Sequence, residues 1–169
     1  MKKMYLFCFL MSSLAWCQPQ MELTPQGFEP VEVSIPATTS LKLIDVSKAW
    51  AQDYNRRENN TYDITNVTDN SVTISAFKRN AFFYRDRGDT FEQKIRYTIK
   101  LTFYNNRYEL AFTVNDIYTD GNVLVKYKIP DYFTSEGKLK DGYDGLTGSL
   151  EKTVNEIVTS HYNFILNYR

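Results

Sequence analysis

The strongest constraint on this chain is a stretch of strict alternation over residues 95–114. Ile95, Tyr97, Ile99, Leu101 and Phe103 are interleaved with Arg96, Thr98, Lys100, Thr102 and Tyr104. Successive side chains of an extended strand point to opposite faces, so this run has one apolar side and one wet side. Asn105-Asn106 follows, a pair that tolerates positive φ and suits a two-residue hairpin turn. Beyond it Tyr108, Leu110, Phe112 and Val114 alternate with Glu109, Ala111, Thr113 and Asn115. A second hairpin is expected upstream, from residues 62–67 through the turn-prone Asp69-Asn70 to Val72, Ile74 and Ala76. Four antiparallel strands with one apolar face require a covering layer.

Two helical patterns can supply that cover. Thr38-Thr39-Ser40 offers hydroxyl caps for a helix over residues 41–55, in which Leu43, Val46, Trp50 and Tyr54 recur at intervals of three and four. A second helix, opening near Ser149, carries Leu150, Val154, Ile157, Val158, His161, Phe164, Ile165 and Tyr168 on one stripe. Ahead of both, Val31, Val33 and Ile35 alternate with Glu32 and Ser34 in a short strand closed by Pro36. The polar residues 56–60 read as a loop. Residues 120–148 hold five of the seven glycines and form a long connection, either a functional excursion or a mobile surface loop. The expected fold is α+β: strand, helix, four antiparallel strands, helix, with both helices on one face of a curved sheet.

The amino terminus carries an address. Lys2 and Lys3 precede an apolar stretch over residues 4–14, and Ala15-Trp16-Cys17 places small residues at the last and third-last positions of a cleavage site. Residues 1–17 are therefore read as a signal peptide, 18–27 as an extended leader, and 28–169 as a single domain. Eleven apolar residues are too few for a spanning helix, which takes about 20, so no transmembrane helix is expected in the mature chain. Lipidation at Cys17 is disfavoured because the bulky Trp16 precedes it. The expected location is exported: periplasmic, outer-envelope associated or extracellular.

Cleavage after Cys17 removes both cysteines and only Lys2 and Lys3 among the charges, leaving 18 basic against 20 acidic side chains. Such a chain has no disulfide, no thiolate nucleophile and no thiolate metal site. Its balance gives no electrostatic reason to bind nucleic acid, whose affinity comes largely from clustered Lys and Arg.

Catalytic material is sparse. His161 is the single histidine and falls within an apolar helical stripe, which suits a core residue better than a general base. Asp141-Gly142-Tyr143-Asp144-Gly145 has the flexible acidic character of calcium loops, but its spacing departs from the template of alternating oxygen ligands, and a turn is the expected role. No phosphate-cradling loop, nucleophile elbow or dinucleotide fingerprint is present. No cofactor and no enzymatic activity are expected.

The domain resembles a bacterial secreted domain of unknown function described as having a TBP-like fold. The resemblance rests on the valine-rich strand ending at Pro36, the capped helix carrying Trp50, and the aromatic hairpin strands. It implies an extracytoplasmic location and a curved sheet backed by two helices, and brings no catalytic residues. The nucleic-acid role of the eukaryotic TATA-binding protein does not travel with the fold name.

What remains is aromatic. Phe82-Phe83-Tyr84 cannot all point inward from one strand, and Arg85 follows them; Tyr127, Tyr132, Phe133 and Tyr143 lie in the long connection. Aromatics beside arginine are common at binding surfaces, so these eight residues are the candidate interaction surface, unless the connection folds over the rings and buries them. The sequence reading is an exported, non-catalytic protein-interaction domain with an envelope protein as partner. Its alternative is a small-ligand carrier or glycan binder with a pocket or aromatic face between sheet and helix.

Overall fold

The computed structural model describes residues 18–168. The segment read as a signal peptide, residues 1–17 with Cys17, lies outside the described residues. Two short strands, β1 (Leu23–Thr24) and β2 (Gly27–Phe28), pair with each other and lead to β3 (Val31–Ser34) and helix α1 (Ser40–Arg57). Strands β4 (Tyr62–Thr65), β5 (Ser71–Asp86), β6 (Asp89–Phe103) and β7 (Arg107–Thr119) follow. The chain then forms β8 (Leu124–Val125), a 3-10 turn over Ile129–Tyr132, and helix α2 (Leu146–Asn167). The main sheet is curved and antiparallel, in the order β3-β7-β6-β5-β4, with β8 also paired to β7.

The alternation of β6 is realised as expected: Ile95, Tyr97, Ile99, Leu101 and Phe103 are buried while Arg96 and Lys100 are exposed. Both helices cover that apolar side. Leu43, Val46 and Trp50 from α1 and Leu150, Val154, Ile157, Val158 and Ile165 from α2 pack against it. Full burial of each aliphatic side chain contributes about 1.5–3 kcal/mol, so this one interface supplies most of the hydrophobic stabilisation.

Two irregularities set where side chains point. Between Lys78 and Phe82 three residues of β5, Arg79, Asn80 and Ala81, face one of β6, Lys94, and Asn80 sits at φ +47 in this bulge. Phe82 therefore stays on the apolar side, and Ala81 is buried beside it. Between Arg96 and Tyr97 the partner strand holds one extra residue, Asn115, so the inward series of β7 passes from Phe112 to Ile117.

Several expectations need correction. The leader is not loosely extended: it turns back as the β1–β2 hairpin, Met21 and Leu23 are buried, and α2 holds it. Met21 N donates to Asn155 Oδ1 at 2.8 Å, Asn155 Nδ2 donates to Met21 O at 2.9 Å, and Leu23 N donates to Glu151 Oε1 at 2.8 Å. Thr39 is the N-cap of α1 but makes no side-chain capping bond. Asn105 and Asn106 form the β6–β7 turn without positive φ. Their carbonyls instead accept from Thr38 N and Ile35 N, which ties the turn to the segment entering α1. The positive-φ pair is Arg87-Gly88, at +51 and +94, which closes the β5–β6 hairpin between Asp86 and Asp89.

Helix α2 begins at Leu146, three residues ahead of the expected start, from Gly145 at φ +89. Ser149, near which the helix was expected to open, is turned to the sheet. Past β4 the outer edge of β5 has no strand partner, and the start of α2 seals it. Phe83 N donates to Ser149 Oγ at 3.1 Å, and Arg85 N donates to the Asp144 carbonyl at 2.9 Å. Covering an unpaired edge in this way removes a template for aggregation.

Candidate functional site

The long β5–β6 hairpin projects beyond α1, and the connection over residues 120–145 folds across its inner side. There the rings form a connected chain. Tyr84 stacks on Phe91 at 5.2 Å between centroids and meets Tyr143 edge-on at 5.0 Å. Tyr143 meets Tyr132 at 4.9 Å, and Tyr132 in turn contacts Phe82 and Tyr127. The connection thus supplies part of the core at this end of the sheet.

This arrangement divides the candidate surface. Phe82, Tyr132 and Phe133 are buried, so they are core residues and leave the interaction surface. Phe83 is half-buried, with its ring against Gly145 and the Arg85 guanidinium 5.5 Å from its centroid. Tyr84 and Tyr143 are half-buried, Arg85 is exposed, and Tyr127 is 49% exposed. The covering takes place on the apolar side of the sheet, because Phe82 shares the face of Ile95 and Tyr97. Phe91, absent from the sequence-derived set, is 41% exposed and completes the patch with Tyr84, Tyr127 and Tyr143. Burial raises the pKa of the Tyr84 and Tyr143 hydroxyls, the Asp86 carboxylate adding to both, so they are neutral at physiological pH.

Two depressions open beside the patch. One of about 510 Å³ lies between the ends of β6 and β7, lined by Tyr84, Phe91, Gln93 and Thr119 among others. The other, of about 560 Å³, runs from the β5 bulge to the first turns of α2, past Phe83, Gly148 and Lys152. Between the central strands and the helices, fully buried side chains of the two layers pack against each other.

The reactive candidates are placed elsewhere. His161 is fully buried between α1 and β7, with the Trp50 and Tyr108 rings edge-on at 5.0 and 5.5 Å. Ser47 Oγ donates its single hydrogen to the Leu43 carbonyl at 2.8 Å, so at the 3.0 Å contact with His161 it accepts from Nε2–H. Nδ1 therefore carries the lone pair, without a partner among the described residues. Burial holds the imidazole pKa down at about 3, and the ring is neutral and out of reach of any substrate. Asp141 and Asp144 belong to a turn that braces the hairpin, with Gly142 at φ +84 close to Asp86. Among the described residues no group of three or more His, Cys, Asp or Glu is placed to hold a metal ion, and no helix is long and apolar enough to cross a membrane.

No family model and no curated protein matches the sequence. Solved structures do. A TBP-like protein from Parabacteroides distasonis superposes with a TM-score of 0.57 at 16% identity, covering 83% of this chain and 93% of that one. The fold is TBP-like. A DUF4468 family protein from Bacteroides ovatus matches with a TM-score of 0.56 at 11% identity, covering 81% of this chain and 82% of the other. At these identities the TBP-like likeness establishes architecture, and the chemistry has to come from the residues described above.

Proposed function

We propose that this TBP-like chain is an exported, non-catalytic recognition domain of the cell envelope, and that it engages its partner through the aromatic end of the sheet. The observation that carries the reading is the patch of Tyr84, Phe91, Tyr127 and Tyr143, rings held at fixed angles by one another and left partly open to solvent. Rigid amphipathic rings give a partner a large contact area at little conformational cost, and tyrosine is enriched at interfaces for that reason. The inaccessible, neutral His161 supports the non-catalytic part of the reading. The pattern of residues 1–17 supports export, and the near-neutral charge balance of the remainder argues against a nucleic-acid partner.

The expected partner is another envelope protein. A photo-crosslinking residue at position 127 of the full-length chain, expressed in its own cells, yields a discrete adduct. The same probe at Leu41, exposed near the opposite end of the sheet, does not. Equal labelling at both positions, or none at either, removes the aromatic end as the binding surface. Intact-mass measurement of the purified protein tests export separately, because cleavage before Gln18, lipidation at Cys17 and a retained Met1 differ in mass.

A further inference from the structure

We infer that the depression between the ends of β6 and β7 is a binding site for a neutral saccharide. The inference rests on the proposed role of the aromatic end as a recognition surface and names the chemistry of one site within it. The depression has a volume of about 510 Å³, within the range of roughly 300–1,000 Å³ usual for small-ligand sites. One wall is the Tyr84–Phe91 stack, with Phe91 partly open to solvent. Alternation along β6 puts Gln93 on the same face as Phe91, two residues further in, and Thr119 of β7 stands opposite it.

Gln93 is 5% exposed, and its Oε1 has no hydrogen-bond partner among the described residues. A buried carboxamide oxygen without a donor costs about 1–3 kcal/mol, so a group that supplies one is favoured there. The terminal torsion of glutamine is broad and roughly two-fold, which lets the amide present either end to a ligand. Asp120 adds an acidic residue to the lining, and no lysine or arginine contributes to it.

That combination selects a ligand. Carboxylate and carboxamide oxygens accept hydrogen bonds, so the occupant must be rich in donors. An acidic residue in a lining that holds no lysine or arginine disfavours phosphates, uronates and sialates. A flat ring wall requires an apolar face on the same molecule. A pyranose has all three properties: hydroxyl donors at its rim, no charge, and a C–H face that stacks on an aromatic ring.

The test is calorimetric titration of the purified protein with maltotriose, xylotriose and the trimer of N-acetylglucosamine, with trigalacturonate as the charged control. At least one neutral trisaccharide binds saturably and trigalacturonate does not. Phe91→Ala lowers the affinity about tenfold while Phe91→Tyr retains it, and Phe91 is exposed enough that neither change should disturb the fold. Asp120→Asn keeps the neutral ligand and relieves the exclusion of trigalacturonate. Equal binding of trigalacturonate by the wild type overturns the charge argument, and no binding of any neutral trisaccharide at millimolar concentration overturns the site. If the position-127 adduct still forms in that case, the aromatic end is a protein-docking surface and only the saccharide inference falls; if it does not, both fall.

Discussion

His161 makes the stability of this domain depend on pH in a way that can be isolated. In the unfolded chain its imidazole takes up a proton as the pH falls through about 6.5, whereas the folded site resists protonation until about pH 3. The unfolded state thus binds more protons throughout that window. Its contribution to stability is complete above pH 6.5 and is lost progressively as the pH drops toward 3. Each pH unit is worth about 1.4 kcal/mol, so lowering the pH from 7.5 to 5.0 costs about 2 kcal/mol through this one side chain. Carboxylates elsewhere also titrate, but His161→Leu leaves them in place, so the difference between the two proteins reports the histidine. Ser47, Trp50 and Tyr108, which contact the ring, do not titrate in that window, and Ser47 keeps its bond to Leu43 when the imidazole is removed.

The assay is urea unfolding of both proteins at pH 7.5 and 5.0. With a denaturant slope of about 2 kcal/mol per molar urea, the wild-type midpoint falls by about 1 M more than that of His161→Leu. Midpoints that fall equally would show that the folded imidazole accepts a proton near its ordinary pKa. The ring would then have access to water, and the argument for a closed core around it would fail.

Four further outcomes follow from the packing. Gly145→Ala forces a side chain into φ +89 and to within 2.9 Å of the Phe83 ring, and should cost about 2 kcal/mol or more. Gly148→Ala, in open space inside α2, should instead stabilise by up to about 1 kcal/mol; thermal melts of the pair must move in opposite directions. Tyr97 is fully buried and its hydroxyl has no partner among the described residues, so Tyr97→Phe should be neutral or stabilising by about 1 kcal/mol in denaturant titrations, and a clear loss would contradict that account. Asn155→Ala strips both hydrogen bonds from Met21 and should lower stability by about 1–3 kcal/mol, with new protease cleavage within residues 18–30; unchanged digestion would mean the leader is held by its buried side chains alone.

The sheet was largely legible because its middle strand, β6, keeps one rule over residues 95–103. From Ile95 to Phe103 every second residue is apolar, and the helices repeat at intervals that can face only such a surface. Legibility stopped where the backbone changes phase. Lys78-Arg79-Asn80 interrupts the apolar series of β5, and a bulge there carries the strand on to Asp86. Phe91 and Gln93 were missed for a related reason. They sit in Thr90-Phe91-Glu92-Gln93-Lys94, where alternation is masked by polar residues on both faces, and the Arg87-Gly88 turn that starts this strand is not a common hairpin pair. The sorting of Phe82, Tyr132 and Phe133 into the core depended on the path of the long connection, which is set by ring-to-ring packing between distant segments and has no local signature.

The clasp between Met21 and Asn155 joins residues 134 positions apart, near the two ends of the chain. Synthesis runs from the amino end, so the segment after Cys17 has nothing to dock on until the last helix has been made. The strands around Met21 and Leu23 therefore stay undocked for as long as the polypeptide is still being produced. Once the turns of α2 that carry Glu151 and Asn155 have formed, the same stretch is fastened down, so the amino end gains its protection only when the carboxy-terminal helix is in place.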